Sequence, residues 1–261
     1  VTKLLIEWPD RQRVETVLIP ARRRATACLS TQVGCAVGCA FCASGAGGVV
    51  RNLTGGEIIE QVLHLQRETK RRVTNAVFMG MGEPLANYDA TLFAVRAFID
   101  ARRLGISARH VTVSTVGLPK QIRRLAREEL AITLAVSLHA PNDALRRELI
   151  PAARRASIDA ILSAAEAFYQ ARKREVTLEY VLFSGLNDTN VCAEALARIA
   201  RRLRCNVNLI LYNPVLSLPY ERPTQGAARA FAARLRRRGV KATIRRSRGL
   251  EGDAACGQLR R

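Results

Sequence analysis

Apolar positions along this chain follow two alternating rhythms. Short aliphatic and β-branched runs at Thr26–Gln32, Asn75–Met79, His110–Thr115, Ile132–Leu138, Thr177–Leu182, Asn206–Tyr212 and Ala242–Arg245 read as buried strands. Between them, Glu57–Lys70, Tyr88–Arg103, Pro119–Glu128, Ile158–Arg174, Val191–Arg204 and Gln225–Arg238 place apolar residues at three- and four-residue spacing, as amphipathic helices do. Helix starts are written into the sequence as well. Thr54-Gly-Gly-Glu57 is a capping box ahead of an apolar run, and Asn187-Asp188-Thr189 opens the run that ends at Arg204. Repeated strand–helix–strand units demand a mainly parallel sheet with right-handed crossovers. Six such units fall short of the eight that close a barrel, so the expected fold is α/β, a partial (βα)6 TIM-type barrel. Ligands of such folds gather at the carboxyl ends of the strands. Residues 1–20 differ: Leu4–Trp8, Pro9-Asp10 and Val14–Ile19 predict a small β-hairpin extension, leaving residues 21–261 as the core domain.

Composition narrows the picture. No stretch approaches the roughly 20 apolar residues of a membrane span, and no basic-plus-apolar leader opens the chain at Val1, so a soluble, cytoplasmic protein is expected. The net charge is +20, carried almost wholly by arginine. Such a surface attracts a polyanion, and a guanidinium both forks onto phosphate and stacks on bases. Arginine written wherever a cation is tolerated, by a G+C-rich genome, remains the bland alternative. Candidate nucleic-acid contacts are Arg22–Arg24, Arg236–Arg238, Arg245, Arg246 and Arg248, with Arg201, Arg202 and Arg204 read as a solvated helix face. The seven cysteines are too few and too uneven for a secreted disulfide framework. Cys192 and Cys205 read as small packing residues.

The chemistry concentrates in Cys35-Ala-Val-Gly-Cys39-Ala-Phe-Cys42, a C-x3-C-x2-C triplet just after the first core strand. Three close thiolates can hold three corners of a 4Fe–4S cube and leave one iron without a protein ligand. That open iron can take the amino and carboxylate groups of S-adenosylmethionine (SAM), and the bound cofactors then carry the radical chemistry. The competing reading is a zinc site completed by Cys28, although structural zinc draws its ligands as two separated pairs and no second pair exists here. The triplet resembles that of the radical SAM superfamily. Gly80-Met-Gly82-Glu83-Pro84 then resembles the superfamily's glycine-rich turn that meets the amino end of SAM. Ser114, the run Ser137-Leu138-His139, and Asn213 sit at further strand ends, where hydroxyl, imidazole and amide groups suit ribose and carboxylate. Each alone reads equally well as a turn or cap.

The resemblance tightens over Arg24–Cys35, Arg51-Asn-Leu-Thr54, Gly80–Pro84, Ser137–Asn142 and Asp253-Ala-Ala-Cys256-Gly-Gln-Leu259, which together are similar to the RlmN/Cfr family of radical SAM enzymes. It covers nearly the whole chain, without counterparts of the family's N-terminal helical accessory domain or of an extension past Arg261. The resemblance implies methylation at C2 of an adenosine in large-subunit ribosomal RNA, with transfer RNA as a further substrate. Methylation at C8 and a zinc-stabilised RNA-binding module are the alternatives. It implies one 4Fe–4S cluster on Cys35, Cys39 and Cys42, two SAM per turnover, and an electron donor such as flavodoxin or ferredoxin. It also implies a covalent relay: Cys256 takes a methyl from one SAM, its S-methyl group is activated by the radical from a second, and the carbon adds to adenine. Cys28 then releases the adduct by forming a disulfide with Cys256, while Glu15 accepts the ring proton.

Overall fold

A computed structural model describes the chain apart from Ser217, Arg246, Ser247, Leu250, Glu251 and Arg261. The contact expected of Arg246 therefore lies outside the described residues. Strands β1 (Thr2–Glu7) and β2 (Arg13–Pro20) form the expected hairpin, in register from Thr2 opposite Leu18 to Glu7 opposite Arg13. They precede β3 (Ala25–Cys28), β4 (Gln32–Gly34), β5 (Val49–Asn52) and α1 (Gly55–Thr69). Next come β6 (Asn75–Phe78), α2 (Tyr88–Ile99), β7 (Val111–Thr115), α3 (Pro119–Arg127) and β8 (Thr133–Ser137). The remainder is α4 (Asp143–Leu149), α5 (Ile158–Arg172), β9 (Val176–Leu182), α6 (Asn190–Ala200), β10 (Cys205–Leu211), α7 (Gln225–Arg237) and β11 (Ala242–Arg245).

Among the described residues the main sheet runs β1-β2-β3-β6-β7-β8-β9-β10-β11. From β3 onward every pairing is parallel, and the hairpin joins antiparallel through β2 against β3. This is the mixed α/β arrangement expected, open at β1 and β11, with the helical crossovers covering one side. The central strands are buried on both faces, which is why β9 (Val-Thr-Leu-Glu-Tyr-Val-Leu) reads as a continuous apolar run rather than an alternation. Helix starts follow the sequence signals. Thr54 Oγ1 accepts from Glu57 N while Glu57 Oε2 accepts from Thr54 N, and the Thr189 and Thr224 hydroxyls cap α6 and α7 by accepting from Cys192 N and Ala227 N. No described helix is long and apolar enough to cross a membrane.

The structure departs from the expected elements in one place that matters. The run Thr26–Gln32 is not a single strand. Pairing with β6 stops after Leu29, whose N–H reaches Val77 O at 2.9 Å, because Ser30 exchanges both backbone bonds with the buried side chain of Gln61. The chain then turns into β4, which pairs antiparallel with β5 in a separate two-stranded finger. The cysteine triplet is the loop of that finger. Gly34 permits the close crossing: its φ is +79°, and a Cβ there would lie 2.0 Å from Gly48 O. The short helix α4, capped by Asn142 Oδ1 on Leu145 N, is an element beyond the sequence expectation.

Candidate functional site

Two adjoining cavities open at the carboxyl ends of the strands. One, of about 160 Å³, is lined by Cys35, Cys39 and Cys42 on the finger loop and by Gly82, Glu83, Ser114, Ser137, His139 and Asn213 on successive strand ends. The other, of about 330 Å³, holds Cys28 and Cys256 together with Arg24, Asn213, Arg245 and Arg248. Met79, Ile210, Asn213, Arg245 and Cys256 form a wall common to both. The topology thus assembles most of the expected residues on one rim. Leu138 is the exception among the expected cofactor contacts: its side chain is in the core, and its backbone bonds Glu179 and Arg146.

The three cysteines of the finger are free and partly buried. Burial pushes the Cys35 thiol up to about 11, burial followed by Cys42 and Cys35 raises Cys39, and burial raises Cys42 against hydrogen bonds from Ser44 and Gly45. Backbone N–H groups already point at two of the sulfurs, Val37 and Gly82 at Cys35, Ser44 and Gly45 at Cys42. Such donors stabilise a thiolate held by metal more than a thiol. Among the described residues no three His, Cys, Asp or Glu side chains are gathered to hold a single metal ion. Three thiolates drawn from one short loop suit a polynuclear cluster better than structural zinc, which takes its ligands as two separated pairs.

The residues expected to contact SAM are fixed largely by backbone bonds. Gly82, at φ +100°, is packed so that a Cβ would meet Gln32 Cβ at 2.7 Å. Glu83 turns its carboxylate onto Leu85 N (3.0 Å) and Val116 N (2.7 Å), and burial raises it to about 7. Ser114 and Ser137 share a 3.3 Å hydroxyl contact at the ends of β7 and β8. His139 has φ +58°, and its Nδ1 accepts from Val181 N at 3.1 Å. That bond places the ring proton on Nε2, and burial followed by Arg146 lowers the imidazole to about 3, so it is neutral.

Cys256 arrives on a C-terminal segment laced across the rim. Asn213 Nδ2 donates to Cys256 O (3.0 Å), Ala43 N to Gly257 O (2.8 Å), and Ser44 Oγ to Leu259 O (2.6 Å). Asn213 is thus a fastener of this segment as well as a wall of both cavities. Cys28 and Cys256 are both free thiols. Burial, then the proximity of Cys256, raises Cys28 to about 12, and Arg245 acts against both effects. Glu15 lines neither cavity: its carboxylate meets Lys3 Nζ at 2.8 Å and the N–H of Arg260 at 2.9 Å.

The expected arginine contacts divide. Arg24 and Arg248 are exposed at the mouth of the larger cavity, with Arg22 and Arg23 beside Arg24 on the same loop. Arg245 is not a surface phosphate contact. It is partly buried in the wall between Cys28, Cys256 and Glu179, which together hold its charge. Arg236 to Arg238 stand at the end of α7 that leads into β11, at the opposite pole of the sheet from the cavities, with Arg236 on Ala242 O and Arg238 on Glu194. Glu179, buried and bonded by Asn208 Nδ2 at 2.9 Å, faces the smaller cavity without any motif to mark it. Its one signal is an acid inside an apolar strand. Cys192 and Cys205 pack against the core as expected.

Comparison with known proteins agrees with this geometry. Residues 29–195 match the Radical SAM superfamily. The chain is 50% identical over 258 residues, 99% of its length and 76% of the relative's, to the "Probable dual-specificity RNA methyltransferase RlmN" of Thermosynechococcus vestitus. The protein of that name from Synechocystis is 48% identical over 99% of this chain and 73% of its own. Among solved structures, a radical SAM methyltransferase from Sphaerobacter thermophilus superposes with TM-score 0.95 at 49% identity, covering 99% of this chain and 76% of that one. The hydrogenase maturase HydG of Carboxydothermus hydrogenoformans, at 20% identity and TM-score 0.62 over 87% of this chain and 55% of its own, shares the fold alone. The chain belongs to the radical SAM superfamily and, within it, to the RlmN family of RNA methyltransferases.

Proposed function

We propose that this protein methylates C2 of an adenosine in large-subunit ribosomal RNA, and in transfer RNA, by a covalent relay through Cys256 and Cys28. The observation that carries the reading is the juxtaposition of these two free thiols, from opposite ends of the chain, in one cavity that shares a wall with the cysteine triplet. Cys35, Cys39 and Cys42 would hold a 4Fe–4S cluster, with the rim formed by Gly82, Glu83, Ser114, Ser137, His139 and Asn213 receiving SAM. Bound there, cluster and SAM would supply the radical chemistry that activates an S-methyl group.

The protein's own residues do the rest. Cys256, as a thiolate, takes the methyl of one SAM with S-adenosylhomocysteine as the leaving group and keeps it on sulfur, since adenine C2 is electrophilic and does not attack a sulfonium itself. After the methylene carbon has bonded to C2, Cys28 attacks the Cys256 sulfur. The adduct would first give its unpaired electron back to the cluster; the S–S bond then forms as the Cys256–carbon bond breaks, the ring proton is taken by a base, and the released carbon takes up a proton to become the methyl group. Glu15 is the proposed base, which requires the Arg260 N–H to leave its carboxylate, so the C-terminal segment has to shift within the cycle. The exposed Arg24 and Arg248 receive phosphate while the adenosine turns into the larger cavity. The relatives, RNA methyltransferases by name, support RNA as the substrate.

Anaerobic reconstitution followed by mass analysis of nucleosides from treated ribosomal RNA tests the reading and separates C2 from C8. Cys256→Ala is expected to abolish methyl transfer while 5′-deoxyadenosine still forms. Methylation by that variant would overturn the relay.

A further inference from the structure

Beside the cysteine finger lies a buried cation that the relay leaves without a task. Arg146, on α4, is 1% exposed. Its Nε donates to Leu138 O at 3.3 Å, and its Nη2 donates to Val116 O and Ser137 O. These carbonyls belong to the carboxyl ends of β7 and β8 and their following turns. They are dipoles, not charges. The carboxylate that acts on Arg146 is Asp143, which is not within ion-pair distance and already accepts from Ile158 N at 2.8 Å. A guanidinium stays charged in the interior, and removing it from water without a counter-charge is costly. An anion held close by would offset that cost.

The position of α4 indicates which anion. Its C-terminal end docks the finger loop, with Ala40 N on Leu149 O at 3.0 Å and with Val37 and Phe41 packed against Leu149 and Val116. Cys39 lies on the finger loop directly before Ala40, the residue that α4 holds through Leu149 O. As thiols the three finger cysteines are neutral and give the guanidinium nothing. As thiolates around an iron–sulfur core they carry net negative charge, and more of it once the core has gained an electron.

We propose that Arg146 is the built-in counter-charge of the cluster, a positioning residue that offsets the negative charge of the thiolate-held group and favours its reduced state. The inference rests on the reading that Cys35, Cys39 and Cys42 hold a 4Fe–4S cluster. Arg146 does not line the cavity, so it acts through the protein wall and not by contact with SAM or RNA. A merely structural role, bracing three carbonyls, makes a different prediction, because it depends on the donor fork and not on the charge.

Wild type, Arg146→Lys and Arg146→Gln are reconstituted anaerobically, assayed for iron and sulfide, and titrated for the cluster's midpoint potential by electron paramagnetic resonance. Arg146→Lys, which keeps the charge, is expected to retain the wild-type potential even with a lowered melting temperature. Arg146→Gln, which keeps donors but no charge, is expected to shift the potential to more negative values and to lose cluster faster in the presence of chelator. An unmoved potential in a fully loaded Arg146→Gln would overturn the inference. If that variant does not fold, Arg146→Lys decides: a loaded protein with a displaced potential overturns it, and one with the wild-type potential supports it. Wild type without iron and sulfide would sink the cluster reading and this inference together, whereas loaded wild type with unmoved variants sinks the inference alone.

Discussion

At the residue scale, Arg245 works against the burial and the neighbouring thiol that raise Cys28, and in the proposed relay this balance would set how the adduct is released. Burial and then Cys256 hold the Cys28 thiol up at about 12, and Arg245 pulls the other way. Only the thiolate attacks sulfur, so resolution should quicken as pH rises toward that value, and the cation should matter most near neutrality. Arg245→Met is expected to slow release by about tenfold, the equivalent of one pKa unit. The slowing should shrink at alkaline pH. Denaturing gels that follow covalent protein–RNA species across pH check this, and an adduct lifetime that ignores both the substitution and pH would count against it. Cys28→Ala should trap the adduct outright. Gly34 makes a second residue-scale case. A Cβ at its φ of +79° has no room against Gly48 O, so Gly34→Ala should open the finger and lower iron content while circular dichroism stays close to wild type.

Among the elements, α1 shows how one start signal ties the finger to the barrel. Glu57 closes the capping box on Thr54 and also receives the fork of Arg51 from β5, at 2.8 Å and 3.0 Å. Thr54→Ala should cost about 1 kcal/mol in urea unfolding. Burial alone would raise Glu57, but the Arg51 fork and the Thr54 N–H prevail and hold its carboxyl below 4.5. A carboxyl lowered on folding adds stability that is fully present above its unfolded value and is lost as pH falls through the folded one. The apo chain should therefore lose this contribution below about pH 4.5, and Glu57→Gln should flatten that part of the stability curve. The same scale explains the misread strand. Apolar pattern marks Thr26–Gln32 as continuous, yet a side chain from α1, Gln61, takes the backbone bonds of Ser30 and ends the ladder. Periodicity has no means of registering a partner that is distant in sequence.

Over the whole molecule, the net charge of +20 is not spread evenly in function. Arg24 and Arg248 border the larger cavity, whereas Arg237 lies at the other pole. Arg24→Ala and Arg248→Ala should each weaken RNA binding and reduce its salt slope by about one, and Arg237→Ala should leave both unchanged. Filter binding across a salt series reads the difference. The sequence alone determined the alternation of strands and helices, their caps, the cysteine triplet and the rim residues, because periods, start signals and close spacings are local quantities. It also marked Cys28 and Cys256, through resemblance. Which side chains share a cavity was decided by the tertiary structure alone. The parallel sheet brings β3, β10 and the C-terminal segment together, so that Arg245 joins the two thiols, Glu179 faces the cavity of the cysteine finger, Arg146 is sealed behind the wall of that cavity, and Glu15 is held by Lys3 and Arg260. Burial and long-range pairing convert ordinary residues into parts of a site, and both depend on the distance between atoms in space, which the order of residues along a chain does not specify.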